Sequence, residues 1–278
     1  MATPGSASEN AAITADYTLT LSEYELARYR RMAAAAQTAE HAAWADAGVL
    51  PGARVADVGC GPGLVLCELA RSVGLGGTVV GVERDPDARA TAHAVIAADG
   101  IANATIVAGD AAATPLEPAT FDVVMMRHVL LHNSDRAQAI VEHLGALLRP
   151  GGHLYLVESD ITAIRRSLDD PDLADCQTRW VLLMEQLGND PAIGPRLCQL
   201  VDAAGLELVD HDARYDIYPR TGEVRPPEWA ARQAMVDAGL ATEDDLARWD
   251  QAYDRDAAAG GRRLTFVPNF RVLGAAPV

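Results

Sequence analysis

Three acidic residues each close or follow an apolar stretch of the sequence. Asp57 lies in "RVADVG", Glu83 closes "TVVGVE" and Asp110 follows "ATIVAG". If these stretches are adjacent parallel strands, their carboxyl ends line one crevice, which is the usual ligand position in open α/β sheets. Carboxylates there accept hydrogen bonds from ribose hydroxyls or an adenine amino group. Each residue alone is equally well explained as a helix cap, but the three together favour a nucleoside-like ligand.

A glycine-rich turn joins the first of these stretches to a helix-like segment. Gly59, Gly61 and Gly63 form the pattern G-x-G-x-G directly after Asp57. Glycines let a backbone approach a ligand closely, and the helix N-terminus that follows offers unpaired N–H groups. The dinucleotide fingerprint is instead G-x-G-x-x-G, and an acidic residue in the turn repels a pyrophosphate. The pattern therefore favours a ligand with a cationic end over NAD.

Two histidines follow the fourth apolar stretch, "FDVVMMRHV". His128 and His132 are the candidate general bases, because an imidazole accepts a proton near neutral pH. They would share one face if this stretch were helical, and Glu158 and Asp160 are the next candidates. A helix cap or a backbone hydrogen bond is the competing interpretation of each histidine. No third ligand is identifiable from spacing, so we predict no metal site.

The elements that must hold these residues alternate along the first part of the chain. Apolar stretches are separated by helical segments of about 10 to 15 residues, which is typical of a parallel, doubly wound α/β sheet. The predicted strands cover 54–58, 78–83, 104–110, 121–129 and 151–159.

The second half of the chain has a different rhythm. Helices dominate after residue 160, and two late strands, 206–219 and "RRLTFVPNFRVLGA", flank one or two acidic, alanine-rich helices in 227–259. This arrangement predicts an antiparallel hairpin at the sheet edge with a helical excursion between its strands.

The composition excludes several classes of function. The chain has 278 residues and a formal net charge of −16, which repels phosphate backbones and anionic lipid surfaces. No run approaches the roughly 20 apolar residues of a membrane span, and "MATPGSASEN" lacks the basic and apolar regions of a signal peptide. The four cysteines have no metal-ligand spacing and read as reduced thiols. We therefore expect a cytoplasmic enzyme that binds neither nucleic acid nor membrane.

Four segments carry a resemblance to a known family. "VADVGCGPG", "VVGVERDP", "VAGDAAATPLEPATFDVVMMRHVLLH" and "LLRPGGHLYLVE" resemble the successive motifs of class I S-adenosylmethionine-dependent methyltransferases. They are most similar to the small-molecule branch that includes the ubiquinone/menaquinone-biosynthesis enzymes, over about residues 50–160. The resemblance implies S-adenosylmethionine as cofactor. It also implies a Rossmann-like, seven-stranded sheet in the order 3-2-1-4-5-7-6 with an antiparallel strand 7.

The resemblance also implies a cofactor site. Asp57 and the glycine turn would hold the methionine part, Glu83 the ribose, and Arg84 would stack along the adenine. Asp110 would contact the adenine, and Arg127 would run beside the methionine part. The predicted cofactor residues are Asp57, Gly59, Cys60, Gly61, Gly63, Glu83, Arg84, Gly109, Asp110, Ala111 and Arg127.

The remaining segments are predicted to form a helical lid. Residues 1–48 would be an N-terminal tail and lid helices, opening with a capping box of Ser22 and Glu25. Residues 49–278 would be the methyltransferase domain, with lid insertions near 160–190 and 222–261. The acidic lid would not favour an anionic acceptor, and the sequence leaves a homodimer open.

Three functions are compatible with these observations. The leading hypothesis is methyl transfer by in-line displacement to oxygen, nitrogen or carbon of a small molecule, a secondary metabolite such as an antibiotic. A second hypothesis is an S-adenosylmethionine-binding enzyme that catalyses a cyclisation or rearrangement without methylation. A third is a Rossmann-type nucleotide-binding regulatory protein.

Overall fold

The computed structural model describes residues 23–220, 225–259 and 263–278. The predicted capping residue Ser22, the rest of the N-terminal tail and parts of the second predicted lid insertion fall outside this range. The helices are α1 (Glu23–Asp46), α2 (Leu64–Val73), α3 (Pro86–Ala98), α4 (Ala137–Leu147), α5 (Pro171–Gln186), α6 (Leu197–Ala203), α7 (Pro227–Ala230), α8 (Arg232–Asp237) and α9 (Glu243–Ala258). The strands are β1 (Arg54–Val58), β2 (Thr78–Glu83), β3 (Ala104–Ala108), β4 (Phe121–Arg127), β5 (Leu148–Ser159), β6 (Arg165–Arg166), β7 (Glu207–Pro219) and β8 (Leu264–Ala275).

The strands form one sheet in the order β3-β2-β1-β4-β5-β8, with β7 on the far side of β8. Strands β1 to β5 pair in parallel, and β8 is antiparallel to both β5 and β7. With β8 counted as strand 7 and β7 as strand 6, this is the predicted order 3-2-1-4-5-7-6. The short strand β6 was not predicted. It pairs with the first half of β8, beyond the point where β5 ends.

Side chains of the sheet alternate between two cores. Val55, Val123 and Tyr155 pack with α1 and α2 on one face, and Ala56 and Val124 pack with α4 and α6 on the other. This period-two alternation of buried residues on both faces is what a doubly wound sheet requires. Asp85 caps the N-terminus of α3, since its side chain accepts from the Ala88 amide and Pro86 is the first residue of the helix.

Helix α5 and helices α7 to α9, which we call the helical cap, pack against one another over the second core. Arginines neutralise the acidic residues of the cap: Arg248 binds the carboxylates of Asp172, Asp175 and Asp245. Residues 227–259 form three helices rather than one or two, because a break at Ala231 and a turn before the capping residue Thr242 divide the segment. No helix of the described residues is long and apolar enough to cross a bilayer.

Two strands end earlier than predicted. Strand β3 stops at Ala108, because Asp110 turns the chain and bridges to Ala113. Strand β4 stops at Arg127, because His128 has the left-handed backbone conformation, with φ of 55°. Both turns bring their polar residues to the carboxyl-terminal edge of the sheet.

Candidate functional site

A cavity of about 860 Å³ opens at the carboxyl ends of β1, β2 and β4 and continues beneath the helical cap. Asp57, Glu83 and Asp110 all line it, as the sequence predicts. Apart from Gly63, every other predicted cofactor residue and both predicted histidines also line this cavity.

The glycine turn closes tightly around the ends of β2 and β4. Gly59 has φ of 77°, and a side chain there would overlap Val129, so only glycine fits. The Gly61 amide donates to the Glu83 carboxylate at 2.9 Å, which ties the turn to the end of β2. Gly63 lies off the cavity wall, and its backbone packs against Ala92 of α3. The turn therefore presents backbone to the cavity, while its last glycine serves helix packing.

Asp57 is a buried carboxylate with an unmet hydrogen-bonding capacity. Its side chain lies near the end of β1, and its Oδ2 atom has no hydrogen-bond partner in the described part of the chain. Burial raises the pKa of Asp57 to about 7, with Arg127 opposing the rise and Glu83 adding to it. Such a group gains most from a cationic ligand atom, because the cation both pairs the orphan oxygen and favours the ionised form.

Asp110 already has a protein partner. Arg136 donates to both of its carboxylate oxygens, at 3.0 and 3.2 Å, and the Ala112 amide donates at 2.9 Å. Burial alone would raise the pKa of Asp110, but these hydrogen bonds outweigh burial and lower it. Asp110 is therefore held ionised at the cavity wall. Arg136 was not predicted as a site residue, because it is 26 residues away from Asp110 along the chain.

Arg127 is bound to a residue that the sequence analysis did not single out. Its guanidinium pairs with Glu40 of α1, which is only 1% exposed. Arg214 of β7 donates to Oε1 of Glu40 at 2.7 Å. The Tyr155 hydroxyl donates to Oε2, the oxygen that Arg127 contacts, at 3.0 Å. Glu40 thus anchors α1 to three strands beside the cavity. The available sequence signal was a glutamate within the alanine-rich second half of α1.

Replacing Glu40 by Ala should lower the free energy of unfolding by about 3 kcal/mol, because two arginines lose a buried anion. Urea unfolding followed by circular dichroism measures this change. The control is Asp46→Ala at the exposed end of α1, which should change stability by less than about 0.5 kcal/mol. A Glu40 variant as stable as this control would show that Arg127 and Arg214 need no buried partner.

A chain of hydrogen bonds runs from His128 across three strands. Ser159 of β5 lies 3.3 Å from His128 Nδ1 and donates to Asn269 Oδ1 at 2.5 Å. Asn269 Nδ2 in turn donates to Asp216 at 2.7 Å. Because an ionised Asp216 carboxylate can only accept hydrogen bonds, the Asn269 amide must turn its NH₂ group toward Asp216. Its oxygen then faces Ser159 and accepts the hydroxyl proton of Ser159. The Ser159 oxygen therefore accepts from His128 Nδ1–H, which leaves the imidazole lone pair on Nε2.

The other candidate bases have different positions. His132 lines the cavity, but it ends a 3₁₀ turn, so the expected shared α-helical face with His128 does not form. Glu158 points away from the cavity wall and accepts from the Val129 and Leu130 amides at 2.7 and 2.6 Å. Burial raises its pKa to about 8. Asp160 accepts from the Thr162 amide at the start of the next turn.

The cap side of the cavity is mainly apolar. Its wall includes Ile161, Ile164, Trp180, Leu183, Met184 and Leu187. Within the described ranges, no group of three or more His, Cys, Asp or Glu side chains is placed to hold a metal ion. The site thus combines a polar crevice at the sheet edge with an apolar chamber under the cap.

Sequence comparisons identify the same region. A model of the methyltransferase domain matches residues 55–152. The chain is 32% identical over 173 residues to a ubiquinone biosynthesis O-methyltransferase of Burkholderia thailandensis, covering 60% of this chain and 70% of that protein. It is 39% identical over 107 residues to nocamycin O-methyltransferase of Saccharothrix syringae, covering 38% of each. The chain spans between 38% and 63% of the length of the first three curated relatives.

A solved structure shares the fold. A putative methyltransferase from Bacillus halodurans C-125 superimposes with a TM-score of 0.57 at 20% identity, covering 85% of this chain and 98% of that one. Fold and site together define a Rossmann-like protein with a nucleoside-type crevice at the sheet edge. The chain belongs to the class I S-adenosylmethionine-dependent methyltransferases. The predicted family and cofactor are confirmed.

Proposed function

We propose that this protein methylates a hydroxyl oxygen of a bulky, largely apolar small molecule, a secondary metabolite. The observation that carries the proposal is the continuous cavity, which joins the Asp57 crevice to the apolar chamber with His128 in its wall. Its volume lies toward the upper end of the roughly 300 to 1,000 Å³ typical of small-molecule sites, as a site for two molecules requires. The relatives named O-methyltransferases, nocamycin O-methyltransferase among them, support oxygen as the methylated atom.

The residues of the crevice fit S-adenosylmethionine. The orphan Oδ2 of Asp57 suits the ammonium of its methionine part, and the glycine turn gives that part backbone contact. Glu83 would accept from the ribose hydroxyls, because each carboxylate oxygen keeps a second lone pair beside its backbone amide. Arg84 and Asp110 line the wall where the adenine would lie. When bound, the cofactor supplies a sulfonium-activated methyl group.

His128 would accept a proton, and the helical cap would orient the acceptor. The apolar wall of the cap orients the acceptor and excludes water, which brings the reacting atoms together at low entropic cost. His128 Nε2 takes the proton that the acceptor hydroxyl loses as its oxygen gains the methyl group. Ser159 and Asn269 keep the lone pair on Nε2, so the base is held in the productive tautomer.

The test is incubation with S-adenosylmethionine carrying an isotopically labelled methyl group and a panel of quinone-type and polyketide-type alcohols and phenols. We expect a product that is heavier by one labelled methyl in place of a hydrogen, with an O–CH₃ signal in its NMR spectrum. Conversion without a change in mass would favour the cyclase or rearrangement hypothesis. Binding of NAD without binding of S-adenosylmethionine would favour the regulatory hypothesis.

A further inference from the structure

Arginines line the cavity where β6, the end of β7 and the helical cap meet. Arg166, Arg220 and Arg225 contribute to this wall, with Glu228 and Asp256 as the neighbouring carboxylates. This cluster lies outside the set of residues predicted for the cofactor. It therefore concerns the acceptor half of the cavity.

Arg166 and Glu228 satisfy each other. Their ion pair is 2.6 Å long, and their side chains are only 9% and 6% exposed. Gln177 accepts from a second Arg166 nitrogen at 2.5 Å, and the Tyr253 hydroxyl donates to Glu228 at 3.2 Å. The charges of Arg166 and Glu228 therefore balance each other, and neither needs a charged ligand group.

Asp256 is shared between two arginines. Arg263 donates to its Oδ1 atom at 2.6 Å, whereas Arg220 lies 3.3 Å from its Oδ2 atom without making a hydrogen bond. Arg225, the third arginine of the wall, pairs with the exposed Asp254. The buried part of the described cluster thus contains the guanidinium groups of Arg166, Arg220 and Arg263 and the two carboxylates of Glu228 and Asp256.

In the described part of this cluster, Arg220 is the arginine whose hydrogen-bond donors lack acceptors. Among the described residues, none accepts a hydrogen bond from its Nε or from either terminal nitrogen, although all three atoms are buried. A buried cation whose donors lack acceptors is costly. Burial lowers the pKa of Arg220, and Arg166 and Arg263 lower it further against the opposing effect of Asp256.

We propose that the acceptor carries a carboxylate that binds Arg220, at the end of an apolar body whose hydroxyl lies near His128. This inference rests on the proposed function and names its substrate class. The described residues of the cluster are one negative charge short, which matches a carboxylate better than a doubly charged phosphate, and the planar guanidinium fork matches carboxylate geometry.

The electrostatics of the cavity differ from those expected of an acidic lid. Asp172 and Asp175 of α5 and Asp245 of α9 are paired with Arg179, Arg248 and Arg255. The cavity wall instead presents the surplus arginine. The net charge of −16 therefore does not give the sign of the charge beside Arg220.

Two probes of matched shape test the proposal. Isothermal titration of the protein saturated with S-adenosylhomocysteine would compare 2-naphthoate with its neutral analogue, 2-naphthamide. We expect naphthoate to bind about tenfold more tightly, as a charge-assisted hydrogen bond allows. The Arg220→Gln variant should bind both probes equally. The Asp256→Asn variant should prefer naphthoate more strongly, because it removes the carboxylate beside Arg220 and Arg263.

Arg165→Gln is the matched control, since Arg165 is exposed on the same short strand β6 and lies off the cavity wall. This variant should keep the full preference. Normal binding of S-adenosylhomocysteine by Arg220→Gln shows that the variant is folded. Equal affinity for the two probes, or no detectable binding of either, overturns the carboxylate proposal while methyl transfer stands. Failure of the wild type to bind S-adenosylhomocysteine would overturn the proposed function instead.

Discussion

Replacing Asp57 by Asn is expected to weaken binding of S-adenosylhomocysteine by about 100-fold, since it removes the anion from a desolvated charge pair. Asp57 is 3% exposed and has one oxygen without a partner in the described part of the chain, so no other group can take over its role. The amide keeps the size of the side chain, which limits the loss of stability. Isothermal titration measures the affinity.

The matched control is Asp99→Asn, because Asp99 is a half-exposed acid outside the cavity that pairs with Arg71. Its affinity should equal that of the wild type. Unchanged affinity in the Asp57 variant would mean that the methionine part of the cofactor is held elsewhere. The predicted assignment of the glycine turn would then be wrong.

The same residue predicts a pH dependence. Burial raises the pKa of Asp57 to about 7, far above the ordinary value of an aspartate, so the free protein is largely protonated there at pH 6. The cationic ligand needs the ionised form, and binding must therefore release a proton. Affinity should rise about tenfold from pH 6 to pH 7.5 and then level off, since each pH unit below the pKa costs about a factor of ten.

Titrations in two buffers of different ionisation enthalpy would count the released proton. The Asp57→Asn variant should bind with little pH dependence over the same range. A pH-independent affinity of the wild type would show that Asp57 is already ionised in the free protein.

Replacing His128 by Asn is expected to lower kcat about 100-fold without changing the affinity for S-adenosylhomocysteine, since the variant loses its proton acceptor. Asparagine is the suitable substitution, because His128 has φ of 55° and asparagine tolerates this left-handed conformation.

Ser159→Ala and His132→Gln are the companion variants. Ser159→Ala removes the acceptor for Nδ1–H and should lower kcat by about tenfold, because the imidazole then loses its fixed tautomer. His132→Gln should keep a kcat near that of the wild type. A fully active His128 variant would mean that alignment of the acceptor alone accounts for the rate.

Much of the fold was predictable because its signals are local. The alternation of apolar stretches with helical segments predicted the five parallel strands. The last residues of β3 and β4 were misplaced, where Asp110 and His128 adopt turns that no periodicity indicates. Strand β5 also begins at Leu148, three residues before the predicted start at 151. The short strand β6 was missed, since two residues carry no periodic pattern.

The partners of the site residues were not predictable in the same way. Arg127 and Glu40 are 87 residues apart, and Asp110 and Arg136 are 26 apart. In both cases the sequence contains many arginines and acids that could pair equally well. Only the packing of α1 and α4 on the sheet selects these two pairs.

By itself, the sequence indicated the cofactor of this protein, since the acid-containing glycine turn and the acids that end the next strands are short motifs tied to strand ends. The tertiary structure decided which distant residues share the cavity. His128 follows β4, Ser159 lies on β5, Asn269 lies on β8 and Arg220 follows β7, and only the closing of the sheet beneath the helical cap brings them to one cavity. The balance of charge in that cavity depends on which arginines and carboxylates are buried together, and burial is a property of the fold.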